Sequence, residues 1–97
     1  MRLVLHPKVY SDIDSIMNYY EQPATAKLAD DFYAELRFTM LEVAKRPEQF
    51  SVRTKDIRRA NLRRFPYHFL FRTVDDVVRI LVVRHHSRHP AVGLTRR

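Results

Sequence analysis

Between Ile57 and Pro90 the chain gathers two kinds of side chain that handle phosphate chemistry. Arg58, Arg59, Arg63, Arg64, Arg72 and Arg88 supply planar, permanently charged guanidiniums, whose forks match phosphate and carboxylate oxygens. His68, His85 and His86 ionise near neutral pH and can give or take a proton. A metal-independent ribonuclease needs this equipment: a histidine as base or acid at the 2′-hydroxyl, and arginines to steady the pentavalent phosphate. Arg64, His68, His85, His86 and Arg88 are the catalytic candidates in that reading. The plainer reading makes each histidine a polar ring bonded to backbone, and the arginines a row of surface ion pairs.

The supply of acids argues against a fully paired row. Residues 1–48 carry six Lys+Arg and eight Asp+Glu, whereas residues 49–97 carry twelve Lys+Arg and only three Asp+Glu, giving a chain of net charge +7. Eleven of those twelve cations are arginine. The composition therefore predicts a polyanionic or acidic partner for the C-terminal half. Cysteine is absent, which excludes disulfides, thiolate nucleophiles and zinc-thiolate sites. His85 and His86 point in opposite directions on a strand, and Pro90 disfavours the helix that would align His85 with His89, so no metal site and no cofactor is expected.

The elements that must position these residues follow from periodicity. Arg2–Leu5 alternates and stops at His6-Pro7, a short first strand. Val9, Ile13, Ile16, Met17 and Tyr20 mark one face of a first helix. Pro23 suits the first turn of a second, and Leu28, Phe32, Leu36, Met40 and Val43 carry it toward Pro47, about 22 residues in all. Only a short connection joins them, so the helices pack antiparallel. After Pro47 the period becomes 2, and strands are expected at 57–65, 67–74 and 77–85, the last two joined through Asp75-Asp76.

The resulting order is β-α-α-β-β-β, an α+β domain spanning 1–97. An antiparallel three-stranded meander gains the first strand at an edge or between its members, and the helices cover one face. On the 67–74 strand Tyr67, Phe69 and Phe71 share a side, and Phe69 and Phe71 are assigned to the core. His68, Leu70 and Arg72 share the other. That other face is expected to be open and to carry an outward row from Arg58, Arg59, Arg63, Arg64 and Arg72, continued by Arg79 or Arg84, as a docking plate for phosphates or acidic peptide. No apolar run is long enough to cross a membrane, and a soluble, cytoplasmic protein is expected.

The segment Arg64-Phe65-Pro66-Tyr67, followed some twenty residues later by His85 or His86, Arg88 and Pro90, together with the strand "VVRILVV", resembles the RelE/ParE toxin superfamily of bacterial type II toxin–antitoxin systems, in its plasmid-stabilisation branch. The resemblance covers nearly the whole chain. It implies a small basic toxin that arrests growth and is neutralised by a co-encoded antitoxin. RelE-like members cut mRNA on the ribosome, often with a tyrosine near the C-terminus; ParE-like members inhibit DNA gyrase. Here no tyrosine follows Tyr67, and lysine is scarce beyond Lys45. The resemblance therefore implies a ParE-like gyrase inhibitor, with a RelE-like ribosome-dependent endoribonuclease as the alternative. The cationic half favours an acidic antitoxin with apolar anchors, which are expected in a groove beside Val9, Ile13, Met17 and the second helix.

Overall fold

The computed structural model describes residues Met1–Arg97. Strand β1 (Arg2–Leu5) leads into helices α1 (Pro7–Tyr20) and α2 (Ala26–Lys45); a 3₁₀ turn at Pro47–Gln49 precedes β2 (Ser51–Thr54), β3 (Ile57–Asn61), β4 (Tyr67–Val74) and β5 (Val77–His85). The five strands form one sheet in the order β1-β5-β4-β3-β2. β1 runs parallel to β5 at an edge, and the other pairs are antiparallel.

The helices begin and end where local chemistry directs. Pro7 opens α1, where its missing N–H has no intrahelical role, and His6 caps the first turn by accepting the Lys8 N–H at 3.1 Å. Pro23 lies in the connection rather than in the first turn of α2, which starts at Ala26 behind Thr25. The Thr25 hydroxyl instead donates to the Tyr20 carbonyl at 2.7 Å and closes the turn between the helices.

Strands β4 and β5 occupy the expected residues. The strand expected at 57–65 stops at Asn61, because residues 62–66 bend around Pro66, which cannot donate to a ladder. β2 adds a strand to the expected three; all four of its residues are exposed, so no alternation announces it.

The main core lies between helices and sheet. Phe32, Leu36 and Val43 of α2 and Val9 of α1 meet Ala60, Phe69, Phe71, Val78 and Ile80. The Phe32 ring packs edge-on to Phe65 and Tyr67 at centroid distances of 5.6 and 5.3 Å, an arrangement that suits the ring quadrupoles.

The opposite face is not bare. Leu70 pairs with Val82 and Phe71 with Ile80, so Leu81 is an extra residue in β5. The bulge lets Leu81 and Val82 join Ile57 and Leu70 in a second apolar cluster, and the C-terminal residues Val92 and Leu94 fold back over it. Gly93, the chain's only glycine, makes that return possible. Its φ is +86°, and a β-carbon there would lie 2.5 Å from the Val82 Cβ. Asp12 of α1 latches the tail: it accepts two hydrogen bonds from the Arg96 guanidinium, at 2.6 and 3.2 Å, and a third from the Val83 N–H. Arg96 also donates to the Leu81 carbonyl. No helix is long and apolar enough to cross a membrane.

Candidate functional site

The tail covers one end of the outer face and leaves a cationic cluster at the other. Cross-strand pairing sets it up: His68 faces Arg84 in the β4–β5 register, and Arg59 faces Leu70 across β3–β4. Arg84 Nε–H donates to His68 Nε2 at 2.8 Å, His68 Nδ1 meets His86 Nδ1 at 2.9 Å, and Arg59 Nη2 lies 3.2 Å from the same His86 nitrogen. The two imidazoles lie nearly parallel, 10° apart.

These contacts fix the protons. A guanidinium only donates, so His68 Nε2 must accept, and a neutral ring then carries its proton on Nδ1. That proton is donated to His86 Nδ1, which also receives Arg59, so His86 is protonated on Nε2. Burial and neighbouring cations disfavour a charge on either ring. His68 is pushed down to about 3, by desolvation first and then by Arg59, Arg84, His86 and Arg53. His86 is lowered by desolvation, Arg59 and His85. Arg59 and Arg84 are themselves lowered, chiefly by desolvation and then by neighbouring arginines.

Neither ring in this chain of hydrogen bonds has a free lone pair, so neither can serve as a general base. His85 is likewise engaged: its Nδ1 accepts the Ser87 N–H at 3.0 Å, and its ring packs against Tyr67 on the helix side. His89 Nδ1 accepts the Ala91 N–H.

The structure breaks up the expected arginine row. Of the predicted row, Arg59, Arg72 and both Arg79 and Arg84 lie on the outer face, but Arg72, with Arg79 opposite it, is separated from Arg59 and Arg84. Arg72 sits at the far end beside Asp56, their nearest polar atoms 3.7 Å apart. Arg58 faces the helix side, because its cross-strand partner is Phe71, and it donates to the Phe50 carbonyl at 2.7 Å. Arg63 and Arg64 belong to the bend, not to a strand. Glu35 of α2 accepts both of their backbone N–H groups, and Arg64 pairs with Asp31 at 3.3 Å. Lys27 first, and Arg64 after it, hold the Asp31 carboxyl below its usual range. Arg88 is exposed near Ser11, Ser15 and Tyr19 of α1, on the rim where the end of β5 meets that helix.

One residue of the cluster, Arg53, escapes a sequence reading, and Arg84, expected as an alternative to Arg79 in the outward row, takes a role which that row does not foresee. Arg84, 9% exposed, also donates to the Pro90 and Val92 carbonyls at 2.8 and 2.7 Å, so it ties the histidine pair to the tail. An arginine in an otherwise valine-rich strand was the available signal, but its meaning needs the register. Arg53 lies on β2, the strand without a pattern.

A second candidate surface is apolar. Leu3 and Leu5 of β1, Ile13 of α1, and Tyr33, Leu36, Met40 and Leu41 of α2 line a groove of about 280 Å³ with Arg37 at its margin. Of the three anchors expected for a partner, Ile13 lines it. Val9 does not: it is fully buried in the core. Met17 packs partly buried against the same core.

Comparison with known proteins gives a consistent set. The family model described as "ParE toxin of type II toxin-antitoxin system, parDE" matches residues 3–90. Toxin ParE2 of Mycobacterium tuberculosis, from strains CDC 1551 / Oshkosh and H37Rv, is 28% identical over 89 residues, covering 92% of this chain and 85% of the relative. A solved structure of the chromosomal ParDE TA system from P. aeruginosa superposes with a TM-score of 0.76 at 19% identity, over 88% of this chain and 95% of that one. The isolated E. coli RelE toxin superposes at 0.61 and 17% identity, over 94% and 89%. At those identities the two structures share the fold.

Proposed function

This chain belongs to the ParE toxin family of type II toxin–antitoxin systems, and from that premise we propose that it arrests growth by inhibiting DNA gyrase and is neutralised by an acidic antitoxin seated in the α1–α2 groove. It is a ParE-like toxin. The observation that carries the choice of target is the hydrogen-bonded histidine pair. Cutting RNA without a metal requires a group to take the 2′-hydroxyl proton, and His68 and His86 each spend their lone pair inside the protein. The absence of any tyrosine after Tyr67 removes the other common candidate for proton transfer near the C-terminus. Arg88 remains exposed and forms no ion pair, and the exposed Arg64 pairs only with Asp31 at the surface, so both can be reached by a large target.

Purified toxin at stoichiometric excess is expected to abolish supercoiling of relaxed plasmid by gyrase. Unchanged supercoiling, combined with codon-specific mRNA cuts by primer extension after induction, would establish the ribosome reading instead.

The antitoxin seat is argued from the groove's apolar lining and from Arg37 beside it. A segment bearing aliphatic anchors and a carboxylate would bury the first and pair the second. Leu41 is 47% exposed, so a charge there is tolerated by the free toxin but not by an apolar contact. Leu41→Glu is expected to weaken the antitoxin about 100-fold by calorimetric titration, roughly 2.7 kcal/mol, while leaving gyrase inhibition intact. Unchanged affinity would move the seat elsewhere.

A further inference from the structure

Arg53, Arg59 and Arg84 crowd the uncovered end of the outer face, with Arg88 on the rim toward α1, and none of the four forms an ion pair; those in the molecule use Lys27, Lys45, Arg64, Arg72 and Arg96. Three of the four line one pocket of about 230 Å³ with the Thr54 hydroxyl, over an apolar floor of Ile57, Leu70, Pro90 and Leu94. Arg59 is braced by Asn61 Oδ1 at 2.7 Å and by His86, and Arg84 by His68 and two tail carbonyls. Arg59 Nη1 and Arg84 Nη2 make no hydrogen bond within the chain, and Arg53 makes none at all. His86 braces Arg59 from beside the pocket rather than lining it. The pocket thus presents guanidinium donors and the Thr54 hydroxyl above an apolar surface that fits a sugar or base.

We propose that this pocket binds a phosphate of a single nucleic-acid strand, with the adjoining sugar or base on the Ile57–Leu70–Leu94 floor, and holds the strand without cleaving it. Guanidiniums crowded by like charge are relieved by an anion, and burial first and neighbouring arginines second already depress Arg59, through Arg53, and Arg84, through Arg59 and Arg88. A single strand is favoured over duplex because the floor takes an unstacked face, which a duplex keeps inside. The locked histidines behind the pocket supply no base, so the bound strand survives.

The proposal goes beyond the gyrase reading and is tested without gyrase, so either can fail alone. The full chain is titrated into a fluorescently labelled single-stranded oligodeoxythymidine and into a duplex, and anisotropy is followed at several salt concentrations. The single strand is expected to bind at least tenfold more tightly. Arg53→Gln combined with Arg59→Gln is expected to weaken it at least tenfold and to lower the slope of log affinity against log salt by about 1.4. Lys8→Gln with Lys27→Gln removes the same charge from the helices and is expected to change binding less than twofold. Thymidine monophosphate is expected to compete better than inorganic phosphate. Equal duplex affinity, equal loss in the two double variants, or equal competition by phosphate alone overturns the proposal. A labelled RNA strand recovered intact supports holding without cleavage, and cut RNA overturns it. Melting curves check that the variants fold; should Arg59→Gln unfold the domain, Arg53→Gln on exposed β2 carries the test.

Discussion

Phe69→Ala is expected to cost about 3 to 5 kcal/mol, enough to consume most of the stability of a domain this size. Phe69 is fully buried at the centre of the sheet, with Ala60 and Val83 as cross-strand neighbours and the Phe71 ring 6.1 Å away. Ala60 has no side chain to fill the void, and the flanking strands are locked by ladders on both sides, so the site cannot collapse around the loss. Urea denaturation of wild type and variant measures the difference. Phe38→Ala gives the contrast: that ring is 63% exposed on α2, and a change within about 0.5 kcal/mol is expected. Equal costs at the two positions would contradict the placement of the core.

The second large effect is on pH dependence. In the unfolded chain His68 takes up a proton near pH 6.5, whereas in the fold it resists until about 3. Between those values the unfolded state binds more protons, so acid draws the equilibrium toward unfolding. Above pH 6.5 both states are neutral there, and the group contributes no slope. Stability is therefore expected to fall by up to about 1.4 kcal/mol per pH unit below pH 6.5, with His86 adding in the same direction. Denaturation between pH 6.5 and 5 isolates the histidines, since most carboxylates titrate lower. His68→Gln is expected to flatten the curve, because a glutamine oxygen can replace Nε2 as acceptor for Arg84 and does not ionise. An unchanged slope would mean that His68 is not held neutral.

The sequence makes the helix pair and the last two strands legible because their signals are local. Tyr67, Phe69 and Phe71 alternate with His68 and Leu70, and Asp75-Asp76 marks the turn, with Asp75 at φ 55°. β2 has no such signal, since a strand exposed on both faces need not alternate. The site was less legible because it depends on long-range facts. Counting parity along 57–65 assumes one continuous strand, and the bend at 62–66 transfers Arg63 and Arg64 to α2, where Glu35 and Asp31 receive them. Arg58 and Arg59 did separate to opposite faces as adjacent strand residues must, but which face each takes is set by pairing with β4. The tail's return over the outer face was hidden as well; its cue is a lone glycine eleven residues beyond Val82, which it meets in space alone.

β1 has a single strand neighbour, and it is β5: Arg2 pairs with Val77 and Leu5 with Ile80. β1 must therefore wait for β5 before its backbone is matched. Closing so long a loop is entropically slow, and the helical hairpin stands without its sheet in the meantime. The same delay leaves the apolar groove, which β1 helps to wall, unbuilt until β5 has formed. A partner that recognises the groove would meet it only once the first and last strands are joined.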